Sequence, residues 1–280
     1  MAATEAYSHI TEGAVYSFNW IFPASKITGE RIGFGGSNRA VELGEETFAY
    51  LSADDIDTRV PSEMHDHPIF LIPRDQRLAL LREFFPAPDG SESDDHISDY
   101  LRNGDLSYKN RRIYDALLAS YDGDISKVLK HIQIERFYFS RRYRRGIATI
   151  EPQMAVDAKI HQVTADRSLA SLPKALQHTA LFEPMGPLVD ANRGILEFSD
   201  FLKRPVEAFK YLLATVETAT VTMDSFVLHL DMLYLASTNE KYLDAFKEHH
   251  DFPSFKGRVE LVKVPYLRRY SDECDIYRPL

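Results

Sequence analysis

The sequence predicts an α/β domain organised on a parallel sheet, and three observations carry that prediction. Two short apolar runs, Ile195–Phe198 and Met232–Ala236, read as buried strands. Between them Ala208, Leu212 and Leu213 recur at helical spacing, so the segment reads β-α-β, with both strands ending on one edge of a sheet. At 280 residues and 44% apolar content there is chain enough for one large domain, or a domain with an insertion.

In chain order, a strand is expected over Ala14–Phe22, then a polar, glycine-bearing region to about Val60. A short strand follows over Pro68–Ile72. Leu78, Leu81 and Phe85 then place a helix over Arg74–Phe85. Prolines, glycines, serines and acids dominate Pro86–Gly104, which predicts a mobile loop or insertion. Helices over Lys109–Tyr121 and Ile125–His131 meet at Asp122-Gly123-Asp124, where Asp124 can cap the second. A strand over Glu135–Phe139 leads into an arginine-rich turn, and Ile147 and Thr149 alternate as in another strand. Pro205 suits a first helical turn, where its missing N–H is not needed. Val259–Val264 reads as a strand. Ser271 followed by Asp272 and Glu273 reads as a cap and an acidic first turn. No repeat or heptad pattern appears.

The β-α-β unit also carries the candidate chemistry. An apolar strand ending in a carboxylate, here Asp200, can hold a hydrated Mg²⁺ and polarise a water. Asn239, closing the neighbouring strand, can touch the phosphate being cut. Glu197 alternates to the same side as Ser199, and the two can reach a metal through water.

This ordered set resembles the AAA+ ATPases, a P-loop NTPase class in which a Walker B strand, a helix and a sensor 1 strand follow one another. A longer resemblance, to the AAA+ module of the PrkA family of serine protein kinases, rests on Gly123-Asp124, Ile134-Glu135-Arg136, Ser140-Arg141-Arg142-Tyr143-Arg144, Glu151-Pro152-Gln153, Ala191-Asn192-Arg193-Gly194, Asn239-Glu240, Arg258 and Val264-Pro265-Tyr266, with their spacing.

The resemblance implies ATP and Mg²⁺ as cofactors, protein phosphorylation in stress or nutrient signalling, and a cytoplasmic location. It implies Asp200 as base, Glu197 as the metal carboxylate, against which stands a buried structural partner, and Arg258 as an arginine finger toward a neighbouring subunit, hence a homo-oligomer, against which stands a surface arginine at a strand start. A protein is the implied substrate class. The sequence departs from the general pattern at Ser199-Asp200, where Asp-Glu is usual, which predicts slow hydrolysis.

No Gly-x-x-x-x-Gly-Lys-Ser/Thr stands anywhere in the chain. In relatives that loop precedes a segment like Gly13-Ala14-Val15-Tyr16-Ser17-Phe18-Asn19-Trp20, so the sequence is expected to start just behind its phosphate cradle. The expected organisation is a partial AAA+ core over 1–270, incomplete at its first strand, with a helical insertion over about 74–131. Residues 271–280 would begin a truncated lid helix. Alone, such a chain is expected not to bind ATP. The alternative is an AAA+-like scaffold or interaction domain that binds no nucleotide.

Other constellations are weaker. Gly33-Phe34-Gly35-Gly36-Ser37-Asn38 lacks the lysine of a phosphate loop. Glu63, His65 and His67 alternate as metal ligands on a strand would, against which stands a solvated turn. Arg136, Arg141, Arg142, Arg144 and Arg145 could hold phosphate, acidic peptide or RNA, or pair with local acids. Some relatives carry Cys-x-x-Cys where Ser107-Tyr108-Lys109-Asn110 stands, so no zinc is expected there.

A net charge of -9 argues against nucleic acid as a general partner. Cys274 is the sole cysteine, which excludes an internal disulfide. No run approaches the roughly 20 apolar residues that span a bilayer, and no export signal opens the sequence.

Overall fold

A computed structural model describes residues 14–24, 46–87, 94–140, 142–153, 158–162, 176, 182–223, 227–266 and 268–277. Two three-stranded sheets organise these residues. The first is antiparallel, in the order β2-β1-β3, from β1 (Ala14–Pro23), β2 (Ile56–Pro61) and β3 (Ile132–Tyr138).

Alternation along β1 builds two apolar layers. Phe18, Trp20 and Phe22 are buried against α3 (Tyr108–Ser120) and α4 (Ile125–Leu129), through Ile113, Leu117 and Val128. Ile21 faces the other way, onto Phe48 and Leu51. Helix α1 (Arg74–Phe84) and the short α2 (Asp99–Asn103) complete this half.

The second sheet is the expected parallel one. Strands β4 (Ile147–Ile150), β7 (Ile195–Phe198) and β10 (Leu233–Ala236) run the same way in the order β10-β7-β4. Two hairpins flank it, β5 (Lys159–Gln162) with β6 (Phe182–Met185), and β8 (Thr220–Thr222) with β9 (Val227–His229). Its core gathers Ile150, Leu196 and Phe198 with Phe201, Phe209, Phe246 and Phe255. Those rings come from α6 (Tyr211–Thr218), α7 (Glu240–Lys247) and α8 (Phe252–Lys256) or the turns leading to them. A short α5 (Pro187–Asp190) precedes β7.

Glycine is required where β4 and β7 begin. A Cβ on Gly194 would lie 1.9 Å from the Gly146 carbonyl oxygen, while the Ile195 N–H donates to that oxygen at 2.8 Å. The Ala191-Asn192-Arg193-Gly194 segment is thus a backbone device as well as a motif.

The two sheets are joined through a polar turn at 62–67. Asn110, fully buried on α3, accepts from the Trp20 indole at 2.9 Å and donates to Ser62 Oγ at 2.8 Å and Asp66 Oδ2 at 2.7 Å. Buried Lys109 sits between Glu63 and Glu183. From the parallel side, Asn192 Nδ2 donates to the Met64 carbonyl at 2.6 Å, and its Oδ1 accepts from the Asp231 N–H at 2.9 Å. Arg193 pairs with Asp231 at 3.1 Å and lies over the Tyr100 ring.

Several expectations from sequence are corrected. Pro68–Leu71 is a 3-10 turn rather than a strand, because Pro68 cannot donate and the His67 imidazole caps the Ile69 N–H at 3.1 Å. The region read as polar loop holds β2, and Pro86–Gly104 holds α2. Val259–Val264 forms no strand and pairs with no described strand. Ser271 lies inside α9 (Tyr270–Tyr277) rather than capping it. The first strand joins the antiparallel sheet.

Among the described residues no helix is long and apolar enough to cross a membrane. Gly33–Asn38 and Arg141 lie outside the described residues.

Candidate functional site

The site begins where β7 stops. Ser199 donates its N–H to the Ile150 carbonyl at 3.0 Å, carrying the ladder one residue past the strand. Asp200 then turns left-handed, at φ 47°, a conformation that Asp tolerates better than most residues. That turn throws the chain toward β10. The Phe201 N–H donates to the Ser237 carbonyl at 2.8 Å, and the Ser237 N–H to the Phe198 carbonyl at 2.9 Å. The tips carrying Asp200 and Asn239 therefore emerge side by side from neighbouring strands with the same direction.

Asp200 Oδ2 is 2.6 Å from Lys203 Nζ, and this bond pushes the exposed lysine ammonium above its ordinary pKa. Lys203 also lies over the Tyr242 ring at 5.9 Å, linking the β7 tip to α7. Asn239 is the N-cap of α7. Its carbonyl accepts from Tyr242 and Leu243, whereas its exposed side chain makes no capping bond and projects from the edge.

Glu197 and Ser199 are half-buried. Glu197 Oε2 accepts from Thr149 Oγ1 of β4 at 3.0 Å, so the acid also serves as a cross-strand partner. Carboxylate, hydroxyl and amide oxygens at strand tips are hard donors that suit a water-mediated Mg²⁺. A lysine-bearing, glycine-lined cradle for the β- and γ-phosphates is missing from the sequence. The residues present fit a water-mediated Mg²⁺.

Arg258 is not brought to that edge. Helix α6 runs back from the tip of β7, and its last turn holds Glu217, which binds Arg258 at 2.8 Å. Arg258 Nη1 also donates to the Ser254 carbonyl and hydroxyl, at 2.8 and 2.9 Å.

Glu63, His65 and His67 do not share a face. His65 has φ 52°, which breaks the alternation, and its Nδ1 lies 3.1 Å from the Asn192 carbonyl. Burial holds His67 down at about 4 and pushes Glu63 up to about 7 against the pull of Lys109. The segment is a buried joint, neither a metal face nor a solvated turn.

The arginine group is largely satisfied locally. Arg145 pairs with Glu135 and Arg144 with Asp190, while Arg136 and Arg142 lie over the rings of Tyr138 and Tyr143. Sequence reasoning missed the cluster of His249, His250 and Asp251, whose ligand atoms lie within 4.8 Å of one another. Lys210 Nζ, 3.6 Å from the same Asp251 oxygen, competes with a cation there.

A family model described as the PrkA AAA domain matches residues 49–280. The chain is 26% identical over 220 residues to ATP-dependent protease PrkA of Bacillus subtilis, covering 78% of this chain and 32% of that protein. It is 26% identical over 226 residues to serine/threonine kinase YeaG of Escherichia coli K12, with the same coverage. The chain thus spans about a third of the length of these curated relatives. A solved structure of NtrX from Brucella abortus aligns with a TM-score of 0.27 at 18% identity, over 44% of this chain and 26% of that one, too little likeness to carry an argument.

Proposed function

The chain belongs to the family of PrkA AAA domains, and from that premise we propose that it forms the water-activating half of the ATP site in a PrkA-type serine protein kinase. One observation carries the reading: Asp200 and Asn239 leave adjacent parallel strands at the same edge, where open α/β sheets bind their ligands.

In this reading Asn239 donates its amide to the γ-phosphate or orients the attacking water. Asp200, released from Lys203, takes the proton from that water. Ser199 and Glu197 would hold Mg²⁺ through its waters, and the ion would supply charge neutralisation between the β- and γ-phosphates. Arg258, freed from Glu217, would reach a neighbouring subunit's nucleotide in a homo-oligomer. The phosphate cradle is contributed by a segment outside these 280 residues; in phosphoryl transfer the hydroxyl of a protein serine takes the water's place, gives its proton to Asp200 and receives the γ-phosphoryl group as ADP leaves.

A second reading, a scaffold that binds no nucleotide, is favoured by a specific observation. Asp200 and Arg258 are both paired within the chain, with Lys203 and Glu217.

A chimera separates the two. Residues 49–280 replace the matching segment of the Bacillus subtilis relative, and thermal unfolding is followed with and without Mg-ATP. Under the first reading the chimera's midpoint rises with ATP, as ligand binding to the native state requires. The isolated chain shows no rise at millimolar ATP. Asp200→Asn and Asn239→Ala keep the chimera folded and abolish its ATP hydrolysis. A folded chimera whose midpoint ignores ATP establishes the scaffold. Hydrolysis that survives both substitutions refutes the assignment of these two residues.

A further inference from the structure

Helices α6, α7 and α8 meet at a turn that the nucleotide reading does not use. His249 and His250 follow α7, Asp251 is the N-cap of α8, and Lys210 is the N-cap of α6. The backbone of the turn is tied down. The His249 N–H donates to the Phe246 carbonyl at 2.9 Å, and the His249 carbonyl accepts from the Phe252 N–H at 3.0 Å. The Phe246 ring, part of the aromatic core, stacks on the His249 ring at 5.8 Å and holds that imidazole in place.

Three metal-ligating side chains converge there. Asp251 Oδ2 lies 3.7 Å from His249 Nδ1 and 3.3 Å from His250 Nε2, and one ligand atom from each residue falls within 4.8 Å of the others. A tetrahedral ion with bonds of about 2.0–2.2 Å holds its ligand atoms roughly 3.4 Å apart. The two carboxylate-to-imidazole separations already match that spacing. Any remaining adjustment falls to His250, whose side chain is 78% exposed and free to rotate.

The carboxylate supplies an independent observation. Asp251 Oδ2 is a buried atom that accepts no hydrogen bond from the described residues. An anionic oxygen removed from water and left without a donor calls for a cation. Lys210 supplies that charge only in part: its Nζ is 3.6 Å away, beyond hydrogen-bond length, on a side chain that is 52% exposed.

We propose that His249, His250 and Asp251 form a site for a divalent transition metal of the Zn²⁺ type, with water as fourth ligand, and that the ion displaces the Lys210 ammonium. Two imidazole nitrogens and one carboxylate suit such a borderline ion, whereas Mg²⁺ and Ca²⁺ take oxygen ligands. The His249 Nδ1 lone pair accepts from the Asp251 N–H at 3.3 Å, a long bond that coordination of the metal replaces. The bound ion clips the end of α7 to the start of α8, while Lys210 swings into water. None of this rests on the nucleotide reading.

The test uses the whole chain, stripped with a chelator, and titrates it with Zn²⁺ against a chromophoric indicator and separately with Co²⁺. One equivalent of Zn²⁺ should bind, and Co²⁺ should give the intense visible absorption of a four-coordinate site in place of the faint bands of the hydrated ion. His250→Ala, at an exposed position, should keep the fold and weaken Zn²⁺ binding by about tenfold or more, since losing even a ligand's supporting partner costs that much. Asp251→Asn should weaken it equally. Lys210→Ala removes the competing ammonium and should tighten Zn²⁺ by about two- to fivefold, the strength of a partly exposed ion pair. Should Asp251→Asn misfold, the His250 and Lys210 variants decide the matter.

Three results overturn the proposal: Zn²⁺ affinity unchanged in His250→Ala, a Co²⁺ spectrum like that of the hydrated ion, or Zn²⁺ binding to Lys210→Ala no tighter than to the parent. ATP has no part in these measurements, so their failure is distinct from that of the nucleotide reading.

Discussion

Acid should loosen the antiparallel half of the molecule through one histidine. His131, 3% exposed, closes β1 onto the helical layer: its Nδ1–H donates to the Ile21 carbonyl at 2.8 Å and its Nε2 accepts from the Tyr121 hydroxyl at 2.7 Å. Burial holds its pKa down from 6.5 to about 4, because a charged ring would lose its water. A depressed folded-state pKa means that the unfolded chain binds the proton first. The stability His131 contributes is therefore complete above pH 6.5 and lost as pH falls toward 4. The full span corresponds to about 3 kcal/mol, of which about 2 kcal/mol is lost between pH 7 and pH 4.5. Glu63, raised to about 7 by burial, acts in the opposite sense, losing stability as pH rises from 4.5 to 7, and His67 acts in the same sense as His131. Comparing the parent with His131→Phe cancels both. The variant leaves the Ile21 carbonyl and Tyr121 hydroxyl short of a partner, a cost that does not vary with pH. Urea unfolding of both proteins at pH 7 and pH 4.5 should show the parent losing about 2 kcal/mol more than the variant. Parallel losses, within about 0.5 kcal/mol, would show that the ring is hydrated or already charged, and would sink the argument.

Other outcomes follow from the same contacts. Asn110→Leu strands the Trp20 indole N–H and takes one bond each from Ser62 Oγ and the Asp66 carboxylate, which keep the Asp66 and Ser107 N–H groups, and should cost about 3 kcal/mol in urea unfolding; a loss under about 1 kcal/mol would mean that water replaces the amide. Gly194→Ala drives a methyl into the Gly146 carbonyl and should cost about 3 kcal/mol or more. Gly257→Ala is its control, since the nearest atom to an added Cβ there is 3.7 Å away, and the midpoint should barely move. Glu217→Gln removes a partly exposed ion pair and should change stability by less than about 1 kcal/mol.

What the sequence made legible is what is local. The unit from Ile195 to Asn239 announces itself because turn residues bound short apolar runs and the helix between them has its own period. Strand β2 was hidden: Ile56–Pro61 is half polar, and it is a strand because β1 pairs with it across many intervening residues. Val259–Val264 shows the converse, a strand-like composition that forms no ladder where no described partner lies beside it. On α3, Lys109 and Asn110 look like ordinary solvated helix residues, and only tertiary packing turns them inward against Glu63, Glu183 and Asp66. His65 defeats the alternation of Glu63, His65 and His67 through one left-handed backbone angle, which no periodicity reveals.

The parallel sheet divides its labour between its two ends. Where β7 and β10 start, Asn192, Arg193 and Asp231 are bound into the joint with Met64, His65 and Tyr100, and Gly194 lies against Gly146. Where the same strands finish, Ser199 and Asp200 are half-buried, Asn239 is exposed, and Asp200 pairs with Lys203 three residues away. Rigid strands anchored at one end can hold polar tips at fixed spacing without those tips stabilising the fold. Substitutions should divide accordingly. Asn192→Ala removes two buried bonds and should cost about 3 kcal/mol, whereas Asn239→Ala, an exposed cap whose side chain makes no capping bond, should cost about 1 kcal/mol or less. Equal losses at the two ends would mean that the Asn239 tip is part of the scaffold, and the reading of that edge as the chemical one would fall with it.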